Sequence, residues 1–154
     1  MQIVHGGSQA LPLYYQNDGF FLDDCGATNT AKYSKVAREF ESPQNWITRA
    51  GRDLIALSLW VRGQSSNAEE GLFVEIEDSA GHVALLRYEG TPNPVARTSW
   101  TEWRIDLADV SAAGVDLSNV KKLRVGVGDP ASIQMGGTGI LYVDDISLHW
   151  IDGQ

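Results

Sequence analysis

The chain has 154 residues, 43% of them hydrophobic, enough for one domain with a sizeable core. Its net charge of −8 argues against nucleic acid and anionic membrane surfaces, both of which call for basic patches. No apolar run is long enough to span a bilayer and no signal peptide is visible, and the single Cys25 rules out an intrachain disulfide.

In chain order, alternating apolar and polar residues mark eight strands. Residues 9–15 place Leu11, Leu13 and Tyr15 on one face. Residues 33–40 form a weaker candidate, because Arg38 falls among the apolar positions. Residues 54–62 put Ile55, Leu57, Leu59 and Val61 inward, and Ser58, Trp60 and Arg62 outward. Residues 72–78 and 82–88 form a hairpin around Ser79-Ala80-Gly81. Residues 99–107 turn Trp103, Ile105 and Leu107 inward, and residues 120–128 do the same with Leu123, Val125 and Val127. Only residues 108–119 hint at helix. The last strand, 139–150, carries two adjacent aspartates, and its apolar set (Ile140, Tyr142, Ile146, Leu148, Trp150) takes Asp144 toward the core. A carboxylate drawn toward a core must be hydrogen-bonded, paired or metal-bound. Asp144 therefore has two readings, an ordinary hydrogen-bonded acid or a structural calcium ligand.

Eight strands with punctuating turns and no long helix predict an all-β, antiparallel two-sheet sandwich. The jelly-roll order would place the first, eighth, third and sixth strands in one sheet and the second, seventh, fourth and fifth in the other. An immunoglobulin-like sandwich is the alternative. In the jelly roll, the loops 16–32, 63–71, 89–98 and 129–138 share one end. All four are long, and long loops on a rigid sandwich are common binding sites.

Val4-His5-Gly6-Gly7-Ser8-Gln9-Ala10-Leu11 resembles the loop-and-strand opening of jelly-roll carbohydrate-binding modules of the galactose-binding type. Tyr142-Val143-Asp144-Asp145-Ile146 resembles their closing strand. Leu57-Ser58-Leu59-Trp60, Glu77-Asp78-Ser79-Ala80-Gly81, Trp100-Thr101-Glu102-Trp103 and Lys121-Lys122-Leu123 with Gly126-Val127-Gly128-Asp129 follow in the family's order. The resemblance covers most of the chain. It implies one domain over residues 1–154 that binds polysaccharide or oligosaccharide without catalysis, fused to other domains in a secreted protein. A structural or adhesive sandwich without a sugar site is the rival. The family's usual first strand, with its acidic calcium ligand, is absent before Ile3. The resemblance still implies a structural calcium held by Asp144 and by the loop of His5, Ser8 and Gln9, mainly through backbone oxygens.

No catalytic set stands against the binding reading. His5, His82 and His149 lack metal spacing, and no Gly-x-Ser-x-Gly elbow is present. Glu75 and Glu77 share a strand face, as glycosidase carboxylates do. The Glu-x-Asp-x-x-Glu run of jelly-roll glucanases lacks its last acid here, so a solvated strand face is the simpler reading. Gly126-Val127-Gly128 follows β alternation and opens no nucleotide-binding helix.

A sugar site needs aromatic faces beside planar polar groups. Two surfaces offer them. The loop end holds Phe20, Phe21, Asn67, Asn93, Arg97 and Asp129. The outward face of the second sheet holds Phe73, Glu75 and Arg124, with Gly126 leaving a shallow groove. The larger number of rings favours the loop end.

Overall fold

The computed structural model describes residues 3–18, 32–132 and 134–151. Its elements are β1 (Leu11–Gln16), β2 (Tyr33–Gln44), β3 (Thr48–Arg49), β4 (Arg52–Arg62), β5 (Leu72–Asp78), β6 (Val83–Arg87), β7 (Thr101–Asp106), α1 (Leu107–Ala112), β8 (Val120–Gly128) and β9 (Thr138–Trp150). They form two antiparallel sheets. One runs β1-β9-β4, with β7 and the short β3 also paired to β4; the other runs β2-β8-β5-β6. Of the two sandwiches the alternating segments allowed, this is the jelly-roll order.

The core lies between the sheets. Leu13 and Tyr15 of β1, Leu57, Leu59 and Val61 of β4, Trp103 and Ile105 of β7, and Leu141 and Val143 of β9 face Leu72, Val74, Ile76, Leu123, Val125 and Val127 of β5 and β8. Full burial of one such aliphatic side chain contributes about 1.5–3 kcal/mol. One end of the sandwich is closed compactly. Asp106 caps α1 by accepting from the Ala108 amide, and α1 buries Leu107 and Val110. At the β5–β6 turn Asp78, 2% exposed, accepts from the amides of Ala80, His82 and Asp116 and from the His82 ring.

The last strand departs from its expected facing. Leu141 and Val143 are buried in the core, while Ile140 and Tyr142 lie on the outer side and are only half-covered. Beyond the aspartates, Leu148 and Trp150 pack against the core as expected, but Ile146, placed with them, is exposed at the bulge. The switch is a β-bulge. Ser58 pairs with Ser147 and Trp60 with Asp144, so Asp145 and Ile146 together oppose Leu59. Asp145 adopts φ 46°, in the left-handed region. One inserted residue reverses the facing of everything beyond it. A second register shift, between Leu54 and Ala56, buries Leu54 and leaves Ile55 only half-covered.

Candidate functional site

The second sheet gathers its chemistry on the face turned away from the core. Cross-strand partners share a face, so the pairing aligns Lys35, Gly126, Phe73 and Arg87 in one row. Arg124, Glu75 and Leu85 form the next row, and Glu39, Lys122, Glu77 and Val83 the third. Glu75 stands at the centre, 8% exposed. It receives the Lys35 ammonium at 3.1 Å and the Arg124 guanidinium at 3.4 Å. Arg124 also donates to Glu77 at 2.5 Å, and Lys122 lies 3.7 Å from Glu39.

Phe73 and Gly126 fit together. A Cβ on Gly126 would fall 2.2 Å from Phe73 Cζ, so only glycine lets the ring lie across β8. The predicted groove is therefore filled. Phe73 does sit on the outward face, but at 0% exposure it forms a floor and offers no open ring for stacking. The half-buried Tyr33 meets Phe73 edge-on at 6.1 Å, with the Lys35 ammonium 5.4 Å from its own ring centre. Tyr33 and Lys35 did not stand out in the sequence, although alternation from the start of β2 places both on this face.

The loop end divides differently. Asn67 is 8% exposed and spends its amide inside the fold, donating to Val95 O at 2.8 Å and Ile140 O at 2.7 Å and accepting from the Ile140 amide. Asn93 donates to Glu70 O and caps the 3₁₀ turn Pro94–Ala96 by accepting from the Val95 amide. Asn67 holds loops together and offers a ligand little, whereas Asn93 ties loops and also lines the cleft around Arg97. Glu70 adds to the same clamp, accepting from Asn17 and from the Gly137 amide. Burial, aided by the nearby Glu70 charge, pushes the Tyr15 hydroxyl up to about 12 while it donates to Ala68 O.

Arg97 is exposed in a cleft of about 360 Å³ with Ser65, Glu69, Pro92, Thr98 and Ser99. Asp129 belongs to the sheet face rather than to this cleft. It accepts from Arg87 at 2.9 Å and from the Ala131 amide, and these bonds hold its carboxyl below the usual range. A second cleft of about 200 Å³, lined by Lys32, Gly128, Asp129 and Met135 among others, adjoins that edge. Phe20 and Phe21 lie outside the described residues.

The Asp144 region forms a latch between the opening loop and the bulge. Asp144 Oδ2 accepts from the His5 amide at 2.8 Å and the Gly6 amide at 3.2 Å, and Oδ1 accepts from the Asp145 amide. Partial burial opposes ionisation, but the three N–H groups outweigh it and lower the Asp144 pKa. His5 stacks on Trp60 at 3.8 Å and meets Asp145 Oδ2 at 2.7 Å. Calcium seeks oxygen donors, whereas this loop turns amide N–H groups toward the carboxylate. Among the described residues, no three His, Cys, Asp or Glu side chains group as metal ligands, and Ser8 and Gln9 are exposed. Amide N–H groups thus occupy the Asp144 oxygens that a cation would use. Excess chelator should therefore leave the melting temperature unchanged. Asp144→Ala should lower it by a few degrees equally with and without chelator; a chelator effect abolished by Asp144→Ala would restore the metal.

No protein-family model matches the chain, and no curated protein matches it. Solved structures do. An exo-β-agarase aligns over 93% of the chain with TM-score 0.62 and 12% identity. A family 30 carbohydrate-binding module aligns over 95% with TM-score 0.58 and 14% identity, the chain covering 69% of it. A family 11 module from Clostridium thermocellum, solved with a β-1,3-1,4-mixed-linked tetrasaccharide, aligns over 92% with TM-score 0.55 and 11% identity, the chain covering 76% of it. The chain spans about a fifth of the length of the agarases it matches. Order of strands, sheet pairing and neighbours agree: this chain has the jelly-roll β-sandwich fold of carbohydrate-binding modules.

Proposed function

We propose that the protein is a non-catalytic carbohydrate-binding module, and that the outward face of the second sheet is its binding surface. The observation that carries this is the network of Lys35, Glu75, Arg124 and Glu77, fixed on rigid strands beside Tyr33 and Arg87. Charge-assisted hydrogen bonds hold these planar and point-like donors in place, so little side-chain entropy remains to be lost when sugar hydroxyls bind. The agarase and the mixed-linkage tetrasaccharide complex among its structural neighbours support a polymeric galactan or glucan as ligand. Such polymers lie outside cells, which supports a place in a larger secreted protein.

Affinity gels containing agarose, mixed-linkage β-glucan and β-1,4-galactan test this reading. Slowed migration on at least one gel, with no reducing sugar released, is the expected result. Normal migration on all three and on a wider glycan panel would favour the structural or adhesive sandwich, which the covered Phe73 ring makes the natural rival. Released sugar would mean an enzyme.

A further inference from the structure

We infer that the second-sheet face selects uncharged glycans, and that Glu75 and Glu77 enforce the choice. The inference rests on the sugar-binding reading above. Among the described residues, the strands place four cations on this face, Lys35, Arg87, Lys122 and Arg124, and each is paired with a carboxylate. The partners are Glu75, Asp129, Glu39 and again Glu75 with Glu77. The face is therefore neutral in sum, on a chain of net charge −8.

A sulfate or uronate arriving here would have to displace a carboxylate already fixed against each cation. Glu75 is the hardest to displace. Its side chain is only 11% exposed and is shared by Lys35 and Arg124 from two other strands. An anion that left Glu75 in place would face two or more like charges within a few ångströms, in a field the whole chain makes more negative. Hydroxyl groups meet no such penalty. They accept from the N–H positions that the ion pairs leave over and donate to carboxylate lone pairs, without separating any pair. Glu75 and Glu77 thus act as specificity-determining residues through the cations they neutralise.

The test compares affinity gels of agarose or β-glucan with gels of a sulfated galactan, at about 20 and about 500 mM NaCl, where screening lengths differ several-fold. The wild-type protein should be retained on a neutral gel, with less than about a twofold change between the two salts, and should run freely on the sulfated one. The Glu75→Gln/Glu77→Gln protein, and Glu77→Gln alone should the double variant not fold, should gain retention on the sulfated gel that falls several-fold in high salt. Wild-type retention on the sulfated gel that salt abolishes would overturn the inference while leaving sugar binding intact. A folded variant that gains nothing would overturn the role of the two glutamates. Free migration on every gel would overturn the sugar-binding reading and this inference with it.

Discussion

Replacing Asp78 by alanine should lower the melting temperature by about 10 °C, the range expected when a buried, multiply bonded carboxylate is lost from a chain of this size. Asp78 joins three segments. Its Oδ1 accepts from the Ala80 and His82 amides of the β5–β6 turn at 2.9 and 3.0 Å. Its Oδ2 accepts from the His82 ring and from the Asp116 amide, both at 2.9 Å. Alanine would leave these donors without their acceptor at a site where the carboxylate itself is 2% exposed.

The same bonds set a pH dependence. Led by the Asp116 amide and opposed by burial, they hold the Asp78 pKa far below the ordinary carboxylate range. A group with a depressed folded-state pKa stabilises fully above its unfolded value, near 4, and loses that contribution as pH falls toward the folded-state value. Thermal melts of the wild type should therefore fall steeply below about pH 4. Asp78→Asn, which keeps the shape and loses the charge, should melt lower at pH 7 and show a shallower decline. Equal pH slopes in the two proteins would contradict the role given to Asp78.

The sandwich was legible in the sequence because its core strands alternate cleanly. Leu57, Leu59 and Val61, then Leu72, Val74 and Ile76, then Leu123, Val125 and Val127 face inward as the pattern implied. The pairing of the sheets came from analogy with the jelly roll, since the strands alone also permitted an immunoglobulin-like sandwich. The facing of β9 was not legible, because alternation was carried straight through Asp144-Asp145, whereas Asp145 turns left-handed and bulges opposite Leu59. Asn67 was misleading for a related reason. An amide in a polar loop looks the same in sequence whether it faces solvent or, like Asn67, holds Val95 and Ile140 together. The covering of Phe73 depended on register, since only the pairing of β5 with β8 sets that ring against Gly126. Arg38, exposed on β2, masked an alternation that places Tyr33 and Lys35 on the sheet face.

On the described residues we place binding on the sheet face; Phe20 and Phe21, which favoured the loop end, lie outside them. On the sheet face, Tyr33 supplies a half-buried ring next to the Lys35–Glu75–Arg124 network. In the loop cleft, Arg97 and Glu69 have polar neighbours and no ring among the described lining residues. An aromatic contact adds about 0.5–1.5 kcal/mol beyond area burial, and a hydrogen bond to a charged donor about 1.5–3 kcal/mol. Tyr33→Ala/Lys35→Ala should thus weaken glycan binding at least about tenfold, since 1.4 kcal/mol is a factor of ten. Arg97→Ala/Glu69→Ala should stay within about twofold of the wild type. Titration calorimetry of both proteins, once matched to the wild type in melting temperature, against an oligosaccharide of whichever glycan retains the wild type, measures this directly. The account predicts loss of affinity in the Tyr33/Lys35 protein alone; loss in the Arg97/Glu69 protein, with the Tyr33/Lys35 protein still binding at full strength, would contradict it.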